Sequence, residues 1–143
     1  IGKVKVPVDI LNKPGRISAP ELAIIQEHPE AGARILENVE FPWPVLDMVR
    51  HHHERLDGSG YPDGLTGEAI SRETRILAVA DVVEAVTSHR PYRPALGLEK
   101  ALGILHEERG DRLCPEAVDA CLALIEAGRF QWSEEGDWGE GDG

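Results

Sequence analysis

Three consecutive histidines are the first residues of this chain with an obvious capacity for chemistry. His51, His52 and His53 form the run, and neutral imidazole is the commonest side-chain ligand of transition metals. Adjacent residues of a helix point about 100° apart, so His52 and His53 can bind one ion only near a helix end. The glycine loop that follows, residues 57–64, supplies such an end. A run of solvated histidines is the alternative that the triplet by itself leaves open.

Asp81 is the second feature, because it lies in the middle of a nearly all-apolar helical segment. A buried carboxylate costs several kcal/mol unless it is paired or bound to a metal. A salt bridge to Arg75 or Arg90 is the alternative. His28 falls on the inward side of an earlier predicted helix, where a hydrogen-bonded core histidine is the ordinary interpretation. Combined with the histidine pair, these residues offer nitrogen and oxygen donors that suit iron, manganese or zinc better than magnesium or calcium.

Cationic residues that could hold a phosphate follow the Asp81 helix. Arg90 and Arg93 flank Pro91 and Tyr92, and two guanidiniums on a proline-stiffened turn can grip phosphate oxygens bidentately. A solvated turn is equally compatible with this sequence. Near the start of the chain, Lys3 by itself indicates only an exposed lysine.

The elements that must position these residues are helices, because apolar residues recur at intervals of three and four. We therefore predict an all-α fold of about five helices, with residues 1–19 irregular. The first predicted helix begins at Ser18, Pro20 and Glu21 and runs past His28 to Ile35. The second begins near Pro42 or Pro44 and ends at the glycine loop. The remaining three are the segments 71–88, 98–109 and 115–127. Consecutive helices must then pack around a shared site.

Composition limits the class of protein. The 143 residues are 41% hydrophobic, which suits one globular domain. No apolar stretch, neither residues 76–80 nor the slightly longer residues 120–125, approaches the roughly 20 residues of a membrane-spanning helix. A net charge of -11 argues against binding a nucleic-acid polymer or an anionic membrane. The two cysteines fit neither a zinc ribbon nor a disulfide framework. The sequence therefore predicts that the protein is located in the reducing cytoplasm.

Several motifs together resemble those of the HD-GYP phosphodiesterases, a subgroup of the HD metal-dependent phosphohydrolases. The most specific is the histidine pair joined to Asp57-Gly58-Ser59-Gly60-Tyr61-Pro62. The other matching segments are Ile1-Gly2-Lys3, residues 27–32 around His28, Ala78-Val79-Ala80-Asp81 and residues 87–93. The resemblance ends near Ile125, so we assign residues 1–128 to an HD-GYP domain and residues 129–143 to an acidic, disordered tail.

This resemblance implies an HD-type helical bundle that hydrolyses the bacterial second messenger cyclic di-GMP to pGpG or GMP. It also implies two or three divalent metal ions, commonly iron or manganese. Carried over by position, the site residues are the metal ligands His28, His52, His53 and Asp81, the catalytic residues Lys3 and Asp81, and the substrate-binding residues Tyr61, Arg90 and Arg93.

One departure from the family pattern concerns the start of the sequence. The family carries a His-Asp pair immediately before Ile-Gly-Lys, and its aspartate bridges the metals, whereas this sequence begins at Ile1. We therefore expect a fragment that is impaired as a hydrolase and that exposes apolar faces. A homodimer is the expected way of covering them.

Two other functions remain open. The first is a catalytically silent module that binds a signalling partner protein, such as a cyclic di-GMP synthase domain. The second is an HD-type hydrolase acting on another nucleotide, which the Gly-Tyr-Pro signature disfavours. The complete set of histidines and Asp81 favours enzymatic ancestry, because a silent module has no physical reason to keep a costly carboxylate.

Overall fold

The computed structural model describes residues 1–88 and 97–129. Within these two ranges the only β pairing is in two isolated bridges, between Asp57 and Thr66 and between Arg109 and Leu113. The prediction of an all-α fold is therefore confirmed. Arg90 and Arg93 lie outside the described residues, as does all of the predicted tail except Arg129.

The helices follow the predicted order closely. They are the 3-10 helix Gly2–Lys5, α1 (Val8–Leu11), α2 (Ala19–Gln26), α3 (His28–Leu36), α4 (Val45–His51), the 3-10 helix Gly67–Ala69, α5 (Arg72–Thr87), α6 (Leu98–Glu108) and α7 (Pro115–Glu126). The last three agree with the predicted segments to within a residue at each end. The start signal is also present, since the Glu21 carboxylate accepts from the backbone N–H and the hydroxyl of Ser18.

Three predicted features differ from the structure. The helix expected to end at the glycine loop, α4, already ends at His51. Residues 1–19, expected to be irregular, contain the first 3-10 helix and α1. The helix expected to run from Ser18 to Ile35 is divided at Glu27 into α2 and α3. The cause of the division is Pro29, which has no N–H to donate to the carbonyl of Ile25 and whose ring crowds that carbonyl.

The main hydrophobic core lies between α5, α6 and α7. It is built from small and branched side chains: Ala78, Val79, Val83, Val86, Ala101, Leu105, Leu113 and Val118. A second group of elements forms around α3, which packs against the first 3-10 helix and against α4, and α4 in turn contacts α5. The predicted site residues of α3, α4 and α5 therefore meet where these two groups join.

Close backbone contact fixes the first 3-10 helix on α3. A Cβ atom on Gly2 would overlap the carbonyl oxygen of His28 and would lie 2.6 Å from the backbone nitrogen of Gly32. Only glycine fits at such a contact, which brings Lys3 beside the start of α3.

None of the helices in the described ranges combines the length and the apolar character that crossing a bilayer requires.

Candidate metal centre

Three of the predicted ligands converge in the structure. His28 opens α3, and His52 and His53 directly follow α4; one ring nitrogen from each of them lies within 4.8 Å of those from the other two. We call these three residues the histidine cluster. The Nε2 atoms of His28 and His53 are 3.1 Å apart, close to the separation of about 3.3 Å that two imidazoles have on a tetrahedral ion with 2.0–2.1 Å bonds. The cluster therefore has the dimensions of a site for one metal ion.

The break between α2 and α3 orients His28. Because Pro29 offers no N–H, the carbonyl of Ile25 lacks its ordinary helical donor. The Nδ1–H of His28 donates to that carbonyl instead, at 2.6 Å. With its proton held on Nδ1, the ring presents the lone pair of Nε2 to the cluster, an arrangement typical of metal-binding histidines.

The end of α4 orients His52 in the same way. Carbonyls in the last turn of a helix have no intrahelical donor, and that of Val49 accepts from Nδ1 of His52 at 2.8 Å. The Arg55 guanidinium closes this turn by donating to the carbonyls of His52 and Glu54 at 3.3 and 2.9 Å. Backbone carbonyls thus fix two of the three rings of the cluster.

Asp81 approaches the cluster from α5. One of its carboxylate oxygens lies 3.7 Å from Nδ1 of His53, the ring nitrogen that does not face His28, and its side chain is 31% exposed. It is therefore less buried than the apolar pattern predicted. The alternative pair with Arg75 is not formed, since that guanidinium donates to the carbonyls of Ile70 and Gly67 at 2.8 Å each. Asp81 therefore lies beside the histidine cluster and is not one of the three residues that converge.

Two further predicted site residues border the cluster. The Tyr61 ring stacks on His53 with centroids 4.9 Å apart and an interplanar angle of 20°. Burial raises the pKa of Tyr61, so its hydroxyl stays protonated. Lys3 is exposed, and its positive charge helps to lower the pKa of His28 and of His53. Tyr61 therefore contacts the cluster, and Lys3 influences it through its charge.

Two rings of the cluster are held in the neutral form that can bind a metal. Burial, then the neighbouring rings of His52 and His28 and the charges of Arg55 and Lys3, lower the pKa of His53 to about 3. Burial is also the largest cause that lowers the pKa of His28. Both rings are consequently neutral at physiological pH, with lone pairs free to bind a metal.

These pKa shifts predict the pH dependence of stability of the metal-free chain. A histidine whose folded pKa lies below its unfolded value of about 6.5 binds more protons when unfolded, so stability falls as the pH drops from about 6.5 towards 3. We expect a lower urea midpoint at about pH 5 than at pH 7 in the presence of a chelator. His53→Gln should reduce this difference. An equal or higher midpoint at the lower pH would show that the rings are not held neutral.

The structure also assigns places to residues that the sequence left without a role. His51 turns away from the cluster, and its Nδ1 and Nε2 lie 2.9 and 2.8 Å from carboxylate oxygens of Asp47 and Asp63. Glu54 is 2% exposed and accepts from two backbone amides further along the chain. The one available signal for Glu54 was its position ahead of a glycine-rich loop whose N–H groups need acceptors.

Comparison with known proteins shows the family of the chain. The family model described as HD domain matches residues 1–117, and the chain belongs to the HD domain family. A solved structure described as Bd1817, a HDG"Y"P protein from Bdellovibrio bacteriovorus, aligns with a TM-score of 0.66 over 87% of this chain and 40% of that one. At 17% sequence identity this likeness concerns the fold.

Three relatives are more similar in sequence. The cyclic di-GMP phosphodiesterase response regulator RpfG of Xanthomonas campestris is 43% identical over 85% of this chain and 33% of its own length. The cyclic di-GMP phosphodiesterase PA4108 of Pseudomonas aeruginosa is 45% identical over 77% of this chain and 27% of its own length. The 3'3'-cGAMP-specific phosphodiesterase 1 of Vibrio cholerae is 42% identical over 85% of this chain and 28% of its own length. These relatives confirm the resemblance drawn from the motifs, and the chain spans a third or less of their lengths.

Proposed function

We propose that this chain is the metal-dependent catalytic domain of a phosphodiesterase that hydrolyses cyclic di-GMP to pGpG or GMP. The observation that carries the proposal is the convergence of the three imidazoles of the histidine cluster, with Asp81 and Tyr61 beside it. Two of the relatives above are named as phosphodiesterases of this dinucleotide. We propose a cytoplasmic location, with which the free thiols of Cys114 and Cys121 agree.

The donor set suits a first-row transition metal, because imidazole nitrogens with a nearby carboxylate favour iron, manganese or zinc. We propose iron or manganese, with one ion on the histidine cluster and a second that uses Asp81. Such an ion supplies Lewis acidity and activates water for attack on phosphorus at neutral pH. His28 and His52 hold their Nε2 lone pairs towards it through the carbonyls of Ile25 and Val49.

Substrate binding falls to the residues around the cluster. A net charge of -11 repels an anionic dinucleotide, so the affinity must arise from cations at the site itself. We assign Lys3 to the scissile phosphate, and Arg90 and Arg93 to phosphate binding, by their positions in the motifs. The phenol of Tyr61, kept protonated by burial, offers a hydrogen bond and a ring face to the substrate.

A second candidate substrate is 3'3'-cGAMP, because a relative 42% identical to this chain is named as specific for it. The complete protein, loaded with manganese or iron, should hydrolyse one or both cyclic dinucleotides. A chelator should abolish the reaction, and added metal should restore it. Binding of either dinucleotide without turnover would show a catalytically silent domain, and the absence of both binding and turnover would refute the proposal.

A further inference from the structure

The buried carboxylate of Glu54 serves neither the core nor the histidine cluster. Its side chain is almost fully enclosed, and burying a charge is costly unless every oxygen finds a donor. One oxygen accepts the backbone N–H of Asp63 at 2.7 Å and the other that of Leu65 at 2.9 Å. Both oxygens are therefore directed to the glycine loop and the residue that follows it.

The side chain of Asp63 connects the same part of the glycine loop to α4. Its carboxylate accepts from Nε and Nη2 of Arg50 at 3.0 and 3.1 Å and lies 2.8 Å from Nε2 of His51. The Arg50 contact, followed by that of His51, lowers the pKa of Asp63 to about 2. The loop is thus held at Asp63 by its backbone on one side and its side chain on the other.

Tyr61 lies two residues before this anchored point. Its backbone N–H donates to the carbonyl of His53 at 3.4 Å, and its ring stacks on the His53 ring. The chain passes so close here that a Cβ atom on Gly60 would overlap the His53 carbonyl oxygen. The position of Tyr61 over the cluster therefore depends on where the loop is anchored.

From this geometry we propose that Glu54 is a positioning residue, which fixes Tyr61 against the histidine cluster by holding the backbone of the glycine loop. The effect of Glu54 on substrate binding rests on the proposed function. Its effect on the loop rests on the structure alone. A glutamate directly after two metal-binding histidines could also be a ligand. The structure assigns it to the loop instead, because both of its oxygens are used by amides.

Glu54→Gln tests the assignment with three measurements. The carboxamide keeps one acceptor oxygen and places an NH2 group against the other N–H. We expect amide hydrogen exchange at Asp63 and Leu65 to become about tenfold faster or more. Manganese affinity should stay within about threefold, because the amide-bound carboxylate contributes no metal ligand. In hydrolysis of cyclic di-GMP, KM should rise about fivefold while kcat changes by less than about twofold. This pattern is expected when the lost contact binds the ground state and the transition state equally.

Two comparisons separate positioning from a general structural role. Glu68→Gln, at an exposed residue of the second 3-10 helix, is the matched control and should change none of the three quantities. In a Tyr61→Ala background, Glu54→Gln should raise KM no further. If Glu54→Gln does not fold, Glu54→Asp, which keeps both acceptors on a shorter stem, should show smaller changes in the same direction.

Three results would overturn the proposal: unchanged exchange at Asp63 and Leu65, a loss of manganese affinity greater than about tenfold, or a further rise in KM in the Tyr61→Ala background. If the wild-type protein hydrolyses no cyclic dinucleotide, the proposed function fails. The exchange and manganese measurements would still decide the role of Glu54.

Discussion

Asp81→Ala is expected to lower the hydrolysis of cyclic di-GMP by about a hundredfold or more while leaving the helical circular dichroism signal intact. Removing a residue that merely orients a metal ligand already costs about 10- to 100-fold, and Asp81 is proposed to bind an ion directly. Its carboxylate is partly exposed and lies outside the packed core, so alanine should be tolerated structurally. Steady-state kinetics with manganese in excess measures the loss.

Glu73→Ala is the matched control for this variant. It removes another carboxylate from α5, at an exposed position in the first turn. Its activity should equal that of the wild type. Full activity of the Asp81 variant would remove this residue from the mechanism and return it to the role of a polar neighbour of His53.

Gly60→Ala is expected to destabilise the fold by about 3 kcal/mol, the upper part of the range for overpacked sites. The added Cβ would overlap the carbonyl oxygen of His53 and would lie 2.5 Å from Cα of Glu54 and 2.6 Å from the backbone nitrogen of Arg55. All three are backbone atoms, so no side-chain rotation relieves the contact. Displacing the loop would also strip the Glu54 carboxylate of its donors. Urea unfolding measures the loss.

Gly103→Ala provides the opposite outcome from the same chemical change. Gly103 lies inside α6, and a Cβ atom there would meet nothing within 4 Å. Alanine is favoured over glycine in a helix interior by about 0.5–1 kcal/mol, so this variant should be more stable than the wild type. If Gly60→Ala were as stable as the wild type, the close passage of the loop over His53 would not exist in solution.

Local sequence signals located most of the helices. The three- and four-residue periodicity with the boundary glycines Gly110 and Gly128 predicted α5, α6 and α7 to within a residue at each end. The division at Glu27 was also encoded locally, in Pro29. The apolar pattern continues across the break and therefore predicts one helix.

Other features depend on contacts between distant residues. Periodicity could not show which side of α5 is enclosed, because apolar residues nearly surround Asp81; Ile76 is 52% exposed whereas Val79 is 2% exposed. The role of Glu54 depends on amides nine and eleven residues further along the chain. Such loop contacts leave no periodic pattern. The assignments of Arg90 and Arg93 remain predictions, as these residues lie outside the described ranges.

Binding of manganese to the purified, metal-free protein tests the central claim most directly. Calorimetric titration should be carried out on the wild type, on His28→Gln, His52→Gln and His53→Gln, and on the control His106→Gln, whose histidine is exposed on α6. We predict that the wild type and the control bind manganese with equal affinity and that each of the three variants loses about a hundredfold or more. Equal affinity in all five proteins would contradict a metal centre built on these histidines.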